Sequence, residues 1–341
     1  MKKKWIAEAL YFIIAVLFLG ICIAAKTATP SVGQAGEINP ETPTVSTTNV
    51  PIPTIADTQE DAATPTETPV PTEGATTLPT EEPKPTEPPE KEGKLPGAIE
   101  IKNENYEQYS NELNAWWFVR KNDHSPSGSG ETFPIEPYSA YYLNTEATEE
   151  EKVVYLTFDC GYENGFTPGI LDTLAEKEVK AMFFVTKDFV VKNSEYVKRM
   201  KEEGHLVGNH TVRHLSSPSL TPEELEAELG EVVKTMYELT GYAMDPFFRP
   251  PMGEYSERTL KAAQDMGYSS IFWSIAYYDY NVNDQPGKEY VVDHFNTYHH
   301  NGTIILMHNT SQSNAEALAD VVDLLKTEGY RFGELTEIAK E

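Results

Sequence analysis

Cysteine is nearly absent from this chain, and positive charge is scarce. Only two of its 341 residues are cysteines, Cys22 and Cys160. Cys22 lies in an apolar N-terminal run, so the pair cannot staple one domain, and a disulfide scaffold is excluded. Lysine and arginine number 27 against 54 aspartates and glutamates, a formal net charge of −27. That imbalance repels phosphate backbones and no basic stripe interrupts it, so nucleic acid is not an expected partner. Long apolar runs are scarce as well. The exception extends from about Ala9 to Ala25, behind Lys2-Lys3-Lys4.

A basic start followed by an apolar run reads as a secretory signal or an uncleaved membrane anchor. A spanning helix takes about 20 apolar residues and a signal core about 7–15, and this run falls between them. Ile23-Ala24-Ala25 is a fair cleavage site, and Leu19-Gly20-Ile21-Cys22 imitates a lipoprotein box with Ile21 where a small residue is required. The anchor is the preferred reading for residues 1–26. Either reading exports the rest of the chain, as a secreted or membrane-tethered protein whose folded part is extracytoplasmic. Free thiols in exported proteins tend to oxidise or pair, so Cys160 needs a reason.

Residues 27–98 consist of phrases such as Pro65-Thr66-Glu67-Thr68-Pro69 and Pro79-Thr80-Glu81-Glu82-Pro83. So few apolar groups cannot offset the entropy of folding, and the segment is expected to be a disordered acidic linker. Residues 99–150, with Trp116-Trp117-Phe118 and Tyr141-Tyr142, read as an extension packing on the main body. From 151 to 341 short apolar strands alternate with amphipathic helices. Strands are expected at Val153–Phe158, Ala181–Val185, Leu206–Gly208, Phe247–Phe248, Ser270–Trp273 and Thr303–Met307. Helices are expected at Pro222–Leu239, with Thr221 as N-cap, and at Ser256–Met266. This alternation predicts a parallel α/β architecture, open sheet or barrel. In a barrel the functional residues stand at the C-terminal ends of the strands.

Those ends carry ionisable groups. Asp159 ends the first strand, His210 follows Leu206-Val207-Gly208-Asn209, and Arg249 follows Phe247-Phe248. Asp279 comes shortly after Trp273, and His308 ends the last strand. His210 and His214 are spaced i, i+4, which on a helical turn puts both imidazoles on one face, suited to a divalent metal; a plain surface pair is the alternative. In Arg249-Pro250-Pro251-Met252-Gly253 two prolines stiffen the loop and leave few backbone donors. Arg249 keeps its charge and could hold a nearby carboxylate, or form a structural salt bridge.

In order, Thr157-Phe158-Asp159-Cys160-Gly161, His210-Thr211-Val212-Arg213-His214, Arg249-Pro250-Pro251-Met252-Gly253, Trp273 to Tyr280, and Leu306-Met307-His308 resemble the five motifs of the polysaccharide deacetylases, the NodB-type carbohydrate esterases. Gly161-Tyr162-Glu163-Asn164-Gly165, Gly204-His205 to His210, and Asn314-Ala315-Glu316-Ala317-Leu318 are similar to the muramic-acid deacetylase subgroup, implicated in muramic δ-lactam formation in the spore cortex. The resemblance implies a distorted (β/α) barrel of the NodB type and metal-assisted amide hydrolysis on peptidoglycan glycan strands. It implies a divalent metal, zinc being expected, held by His210 and His214. Asp159 would be the general base and His308 the general acid, tuned by Arg249 and Asp279 respectively. The Met252 backbone N–H would stabilise the oxyanion, and Trp273 would contact substrate.

Cys160 departs from the usual second aspartate, and three readings stay open. Its thiolate joins the histidines around zinc, or it fills space beside a weaker site, or the chain is a pseudo-enzyme. Ser274, Ala276 and Tyr280 depart from the fourth motif and bear on substrate contacts. The competing functions are a deacetylase of N-acetylglucosamine, chitin-like polymer or xylan, and a catalytically weakened wall-binding homologue.

Overall fold

The computed structural model describes residues 105–339. The expected anchor and linker lie outside the described residues. Among the described residues no helix is long and apolar enough to cross a membrane.

Eight parallel strands form the main sheet: β1 Ala140–Tyr141, β2 Val153–Cys160, β3 Met182–Val185, β4 Leu206–Asn209, β5 Phe247–Phe248, β6 Ser269–Ile271, β7 Ile304–His308 and β8 Arg331–Phe332. Their order is β7-β2-β3-β4-β5-β6-β1, with β8 also paired to β2. The sheet curls until its ends meet. Ile275, just past β6, bridges Ile305 of β7, with Leu306 donating to the Ile275 carbonyl at 3.0 Å. Leu143, just past β1, bridges Thr303. The result is a distorted parallel barrel with seven strands in its circuit, the architecture that the family resemblance implies.

Side chains alternate across such a sheet, and here both faces are buried, so the strands read as unbroken apolar runs. Val153, Tyr155, Met182, Phe184, Phe247, Ile271 and Ile304 fill the inside of the curl. Val154, Leu156, Phe158, Cys160, Phe183, Val185, Val207, Ile305 and Met307 form the outer core with the helices. The described residues form seven α-helices around the sheet: α1 Thr167–Glu176, α2 Lys187–Lys192, α3 Ser194–Glu202, α4 Pro222–Thr240, α5 Glu257–Asp265, α6 Lys288–Tyr298 and α7 Gln312–Thr327. Thr221 caps α4 in a reciprocal capping box: Glu224 N–H donates to its hydroxyl at 3.2 Å, and its own N–H donates to the Glu224 carboxylate at 2.8 Å. Ser256 caps α5 in the same way through Thr259.

Two differences from expectation matter for the site. Strand β2 runs on through Asp159 and Cys160 rather than stopping at Phe158. Ala140–Tyr141, read from sequence as part of an extension, hydrogen-bonds to β6 as an edge strand of the sheet. Trp116 also packs against the sheet's β6 end, its ring 4.7 Å from that of Phe272.

Candidate active site

The C-terminal ends of β2, β4, β5 and β7 open on one cavity of about 720 Å³, within the roughly 300–1,000 Å³ common for ligand sites. Asp159, His210, His214, Met252, Trp273 and His308 line it. Parallel register sets Asp159 of β2 directly opposite His308 of β7, so the two face the cavity at one level.

Arg249 lies beneath Asp159 and is fully buried. Its Nη1 donates to Asp159 Oδ1 and to Thr157 Oγ1, both at 2.8 Å, and its Nε donates to the Ile271 carbonyl at 3.0 Å. The guanidinium also lies 4.2 Å over the Phe184 ring. Burial pushes the Asp159 carboxyl toward the neutral form, but the Arg249 charge, with His210 and His308 adding to it, outweighs that and holds its pKa below the ordinary value. Asp159 is therefore an ionised carboxylate in a dry position.

His308 has an acidic partner of its own. Its Nδ1 lies 2.7 Å from Asp279 Oδ1, and its backbone N–H donates to Asp279 Oδ2 at 2.8 Å. Asn314, at the start of α7, donates to the same Oδ2 at 2.6 Å. Asp279 is thus pinned by three donors and is 1% exposed. Burial opposes an imidazolium, but the Asp279 charge and hydrogen bond, with Asp159 beyond, raise the His308 pKa above its ordinary value. A base without its proton and an acid with its proton can stand side by side near neutral pH.

The two histidines meet by a route other than the expected helical turn. Residues 210–214 form a bend rather than a helix, and Thr211 and His214 take left-handed backbone angles, φ 68° and 55°. Such angles cost about 1–3 kcal/mol each in residues with a Cβ, so other contacts must hold them. Asn209 Oδ1 accepts from Thr211 N–H at 3.0 Å, and Thr211 Oγ1 accepts from His214 N–H at 3.0 Å. Glu228 of α4, 4% exposed, accepts the N–H groups of Val212 and Arg213, each at 2.9 Å. The imidazole rings end 4.8 Å apart.

His210 Nδ1 lies 2.9 Å from the Arg249 carbonyl, so the neutral ring keeps its proton there and turns an unprotonated Nε2 toward Asp159 Oδ2, 3.5 Å away. Burial lowers the His210 pKa to about 4 and also lowers that of His214. Neutral, oriented imidazoles are the form that binds metal, and a carbonyl on the far nitrogen is the usual support. In kind these donors fit a divalent ion. In number they fall short of the three protein ligands of most catalytic zinc sites, and among the described residues no group of three or more His, Cys, Asp and Glu is arranged to hold a metal.

Cys160 does not join them. Because β2 continues through it, its parity is opposite to that of Asp159, and the side chain belongs to the outer core with no exposure. Burial first, then the Asp159 and Glu163 charges, push its thiol pKa well above the ordinary value. A neutral, core-facing thiol is poorly placed to ligate zinc, and of the three expected ligands His210 and His214 line the cavity while Cys160 does not.

Met252 is left-handed at φ 58°, as is Gly253 at φ 67°. A Cβ at Gly253 would come within 2.9 Å of Trp273 Cη2, so the tight loop requires glycine there. Trp273 is held through its carbonyl, which accepts from Trp116 Nε1 at 2.9 Å. Tyr280 lines the cavity with its ring edge-to-face to His308, centroids 5.7 Å apart. Glu228 and Asn314 escaped sequence reasoning as contributors to the site. Asn314 stood in the quoted Asn-Ala-Glu-Ala-Leu phrase without a role, and Glu228 gave only the faint signal of a carboxylate on the apolar face of α4.

A barrel whose strand ends bring together these five motifs belongs to the polysaccharide deacetylases, and the chain is a member of that family, the family 4 carbohydrate esterases, hydrolases of amide C–N bonds. The family model for polysaccharide deacetylase matches residues 146–271. The chain is 40% identical over 237 residues to the peptidoglycan-N-acetylmuramic acid deacetylase PdaA of Bacillus subtilis, covering 69% of this chain and 89% of that protein. It is 32% identical over 203 residues to a peptidoglycan-N-acetylglucosamine deacetylase of Bacillus cereus, covering 58% and 93%. The solved structure of Bacillus subtilis PdaA superposes with a TM-score of 0.64 at 41% identity, covering 67% of this chain and 97% of that one.

Proposed function

We propose that this protein removes the acetyl group from N-acetylmuramic acid in peptidoglycan glycan strands, on the extracytoplasmic side of a membrane that its N-terminal segment anchors. The observation that carries this reading is the pairing of two buffered groups across one cavity, Asp159 on Arg249 and His308 on Asp279. A binding module needs no such base and acid pair. The choice of muramic acid rests on the phrases Gly161–Gly165 and Asn314–Leu318 and on the 40% identity to a deacetylase of that sugar.

A divalent ion, with zinc expected, would be held by His210 and His214 and would polarise the acetamide carbonyl and acidify a water. Asp159, already ionised, takes the proton of the attacking water. The rigid Arg249–Gly253 loop offers the Met252 backbone N–H to the developing oxyanion. His308, protonated through Asp279, delivers its proton to the departing amine, leaving acetate and a free amino sugar. Trp273 and Tyr280 wall the cavity and exclude water around the amide. A role in muramic δ-lactam formation in spore cortex is the corresponding physiological setting. Mass spectrometry of peptide-free glycan strands after incubation with the purified protein tests the reading: acetyl loss from muramic acid is expected, and loss confined to glucosamine transfers the activity to the other sugar.

A further inference from the structure

Arg213 stands between the two histidines in sequence and has no part in the chemistry above. Among the residues lining the cavity it is the one lysine or arginine. Its backbone N–H and its Nε are both bound by the buried carboxylate of Glu228, which fixes the root and one edge of the guanidinium. The side chain is nevertheless 60% exposed, and its terminal nitrogens meet no acceptor among the described residues. A guanidinium tied by one edge and free at its fork presents a planar, two-point donor for a carboxylate. In a chain of net charge −27, an anionic ligand needs such a local cation to approach at all.

N-acetylmuramic acid supplies the matching group. It differs from N-acetylglucosamine by an ether-linked lactic acid at O3, so the lactyl group that ends in this carboxylate is carried by the ring carbon next to the one bearing the scissile acetamide. With the acetamide at Asp159 and His308, the lactyl group remains within the same cavity. We propose that Arg213 binds the free lactyl carboxylate of N-acetylmuramic acid and thereby sets the preference for muramic acid over glucosamine. This rests on the reading of the substrate given above. It also implies that strands whose lactyl carboxyl is blocked as an amide or ester are poorer substrates.

The test compares the full chain with its Arg213→Gln and Arg213→Lys variants on peptide-free glycan strands, with the lactyl carboxyls either free or methyl-esterified. Arg213→Gln is expected to raise KM for free-acid strands on the order of tenfold, at little change in kcat, because an exposed charge-assisted pair contributes uniform binding. Esterification is expected to raise the wild-type KM by a similar factor and to leave the Arg213→Gln variant unaffected, with Arg213→Lys in between. Because esterification changes the substrate alone, it reads the contact without disturbing the loop that Glu228 holds. A wild-type protein that deacetylates both strand types equally well overturns the assignment while leaving the substrate reading intact. Absence of acetate release from muramic acid in either strand type overturns both.

Discussion

Replacing Arg249 by methionine removes a buried cation without leaving a large hole. The guanidinium has no exposure, and its loss strips Asp159 of a 2.8 Å ion pair and the Ile271 carbonyl of its 3.0 Å donor. Breaking a buried pair by removing one partner costs about 3–5 kcal/mol, because the other charge stays behind unpaired. For a domain of this size each kcal/mol lowers Tm by about 2–4 °C, so the expected fall is roughly 6–20 °C. Arg249→Met combined with Asp159→Asn removes both charges, and the double variant should be more stable than the sum of the single effects implies, by about 1–3 kcal/mol of coupling. Differential scanning calorimetry of the three variants with chelator present reads this directly. A Tm fall below 2 °C for Arg249→Met, or strict additivity in the cycle, refutes the claim that this pair is a tightly coupled buried unit.

Further outcomes follow from other parts of the site. His210→Ala and His214→Ala should each lose bound zinc, measured by equilibrium dialysis, and deacetylation with it; unchanged acetate release would sink the two-histidine site. Cys160→Ala should leave zinc affinity unchanged, and the native thiol should resist alkylation until the protein unfolds; rapid labelling of the folded protein would contradict its place in the outer core. Asp279→Asn should move the alkaline limb of kcat/KM to lower pH. Asp279 raises the His308 pKa and so keeps the acid protonated to higher pH, and without that charge burial pulls the pKa down. A limb that stays in place would show that His308 is not the titrating acid. Thr221→Ala should cost about 1 kcal/mol and lower Tm by about 2–4 °C through loss of the α4 N-cap, with activity per folded molecule unchanged.

Much of the site is legible in the sequence because its residues sit at the ends of strands that are buried on both faces and read as plain apolar runs. Asp159, Arg249 and His308 each follow such a run directly, and the fold brings them together by sheet register alone. The departures have physical causes. Cys160 lies beyond the strand expected from sequence, whereas the strand continues through it and turns its side chain to the face opposite that of Asp159. His210 and His214 suggest a helix because i, i+4 spacing is helical, whereas their meeting depends on left-handed Thr211 and His214 and on Glu228 of the following helix, which braces Val212 and Arg213 between them. Neither spacing nor composition encodes that brace. The strand Ala140–Tyr141 is two residues long and lacks any run to mark it, and only its pairing with Ser270 and Ile271 makes it part of the sheet. Asn314 reaches Asp279 through the fold, from 35 residues downstream.

The central claim is that the cavity at the strand ends deacetylates muramic acid, and mass spectrometry of peptide-free glycan strands treated with the purified protein tests it most directly. The account predicts muramic acid residues that have lost acetyl in the wild-type digest and none in digests with Asp159→Asn or His308→Ala. Peptide-free strands that keep every muramic acetyl, or that lose acetyl equally with those variants, would contradict it.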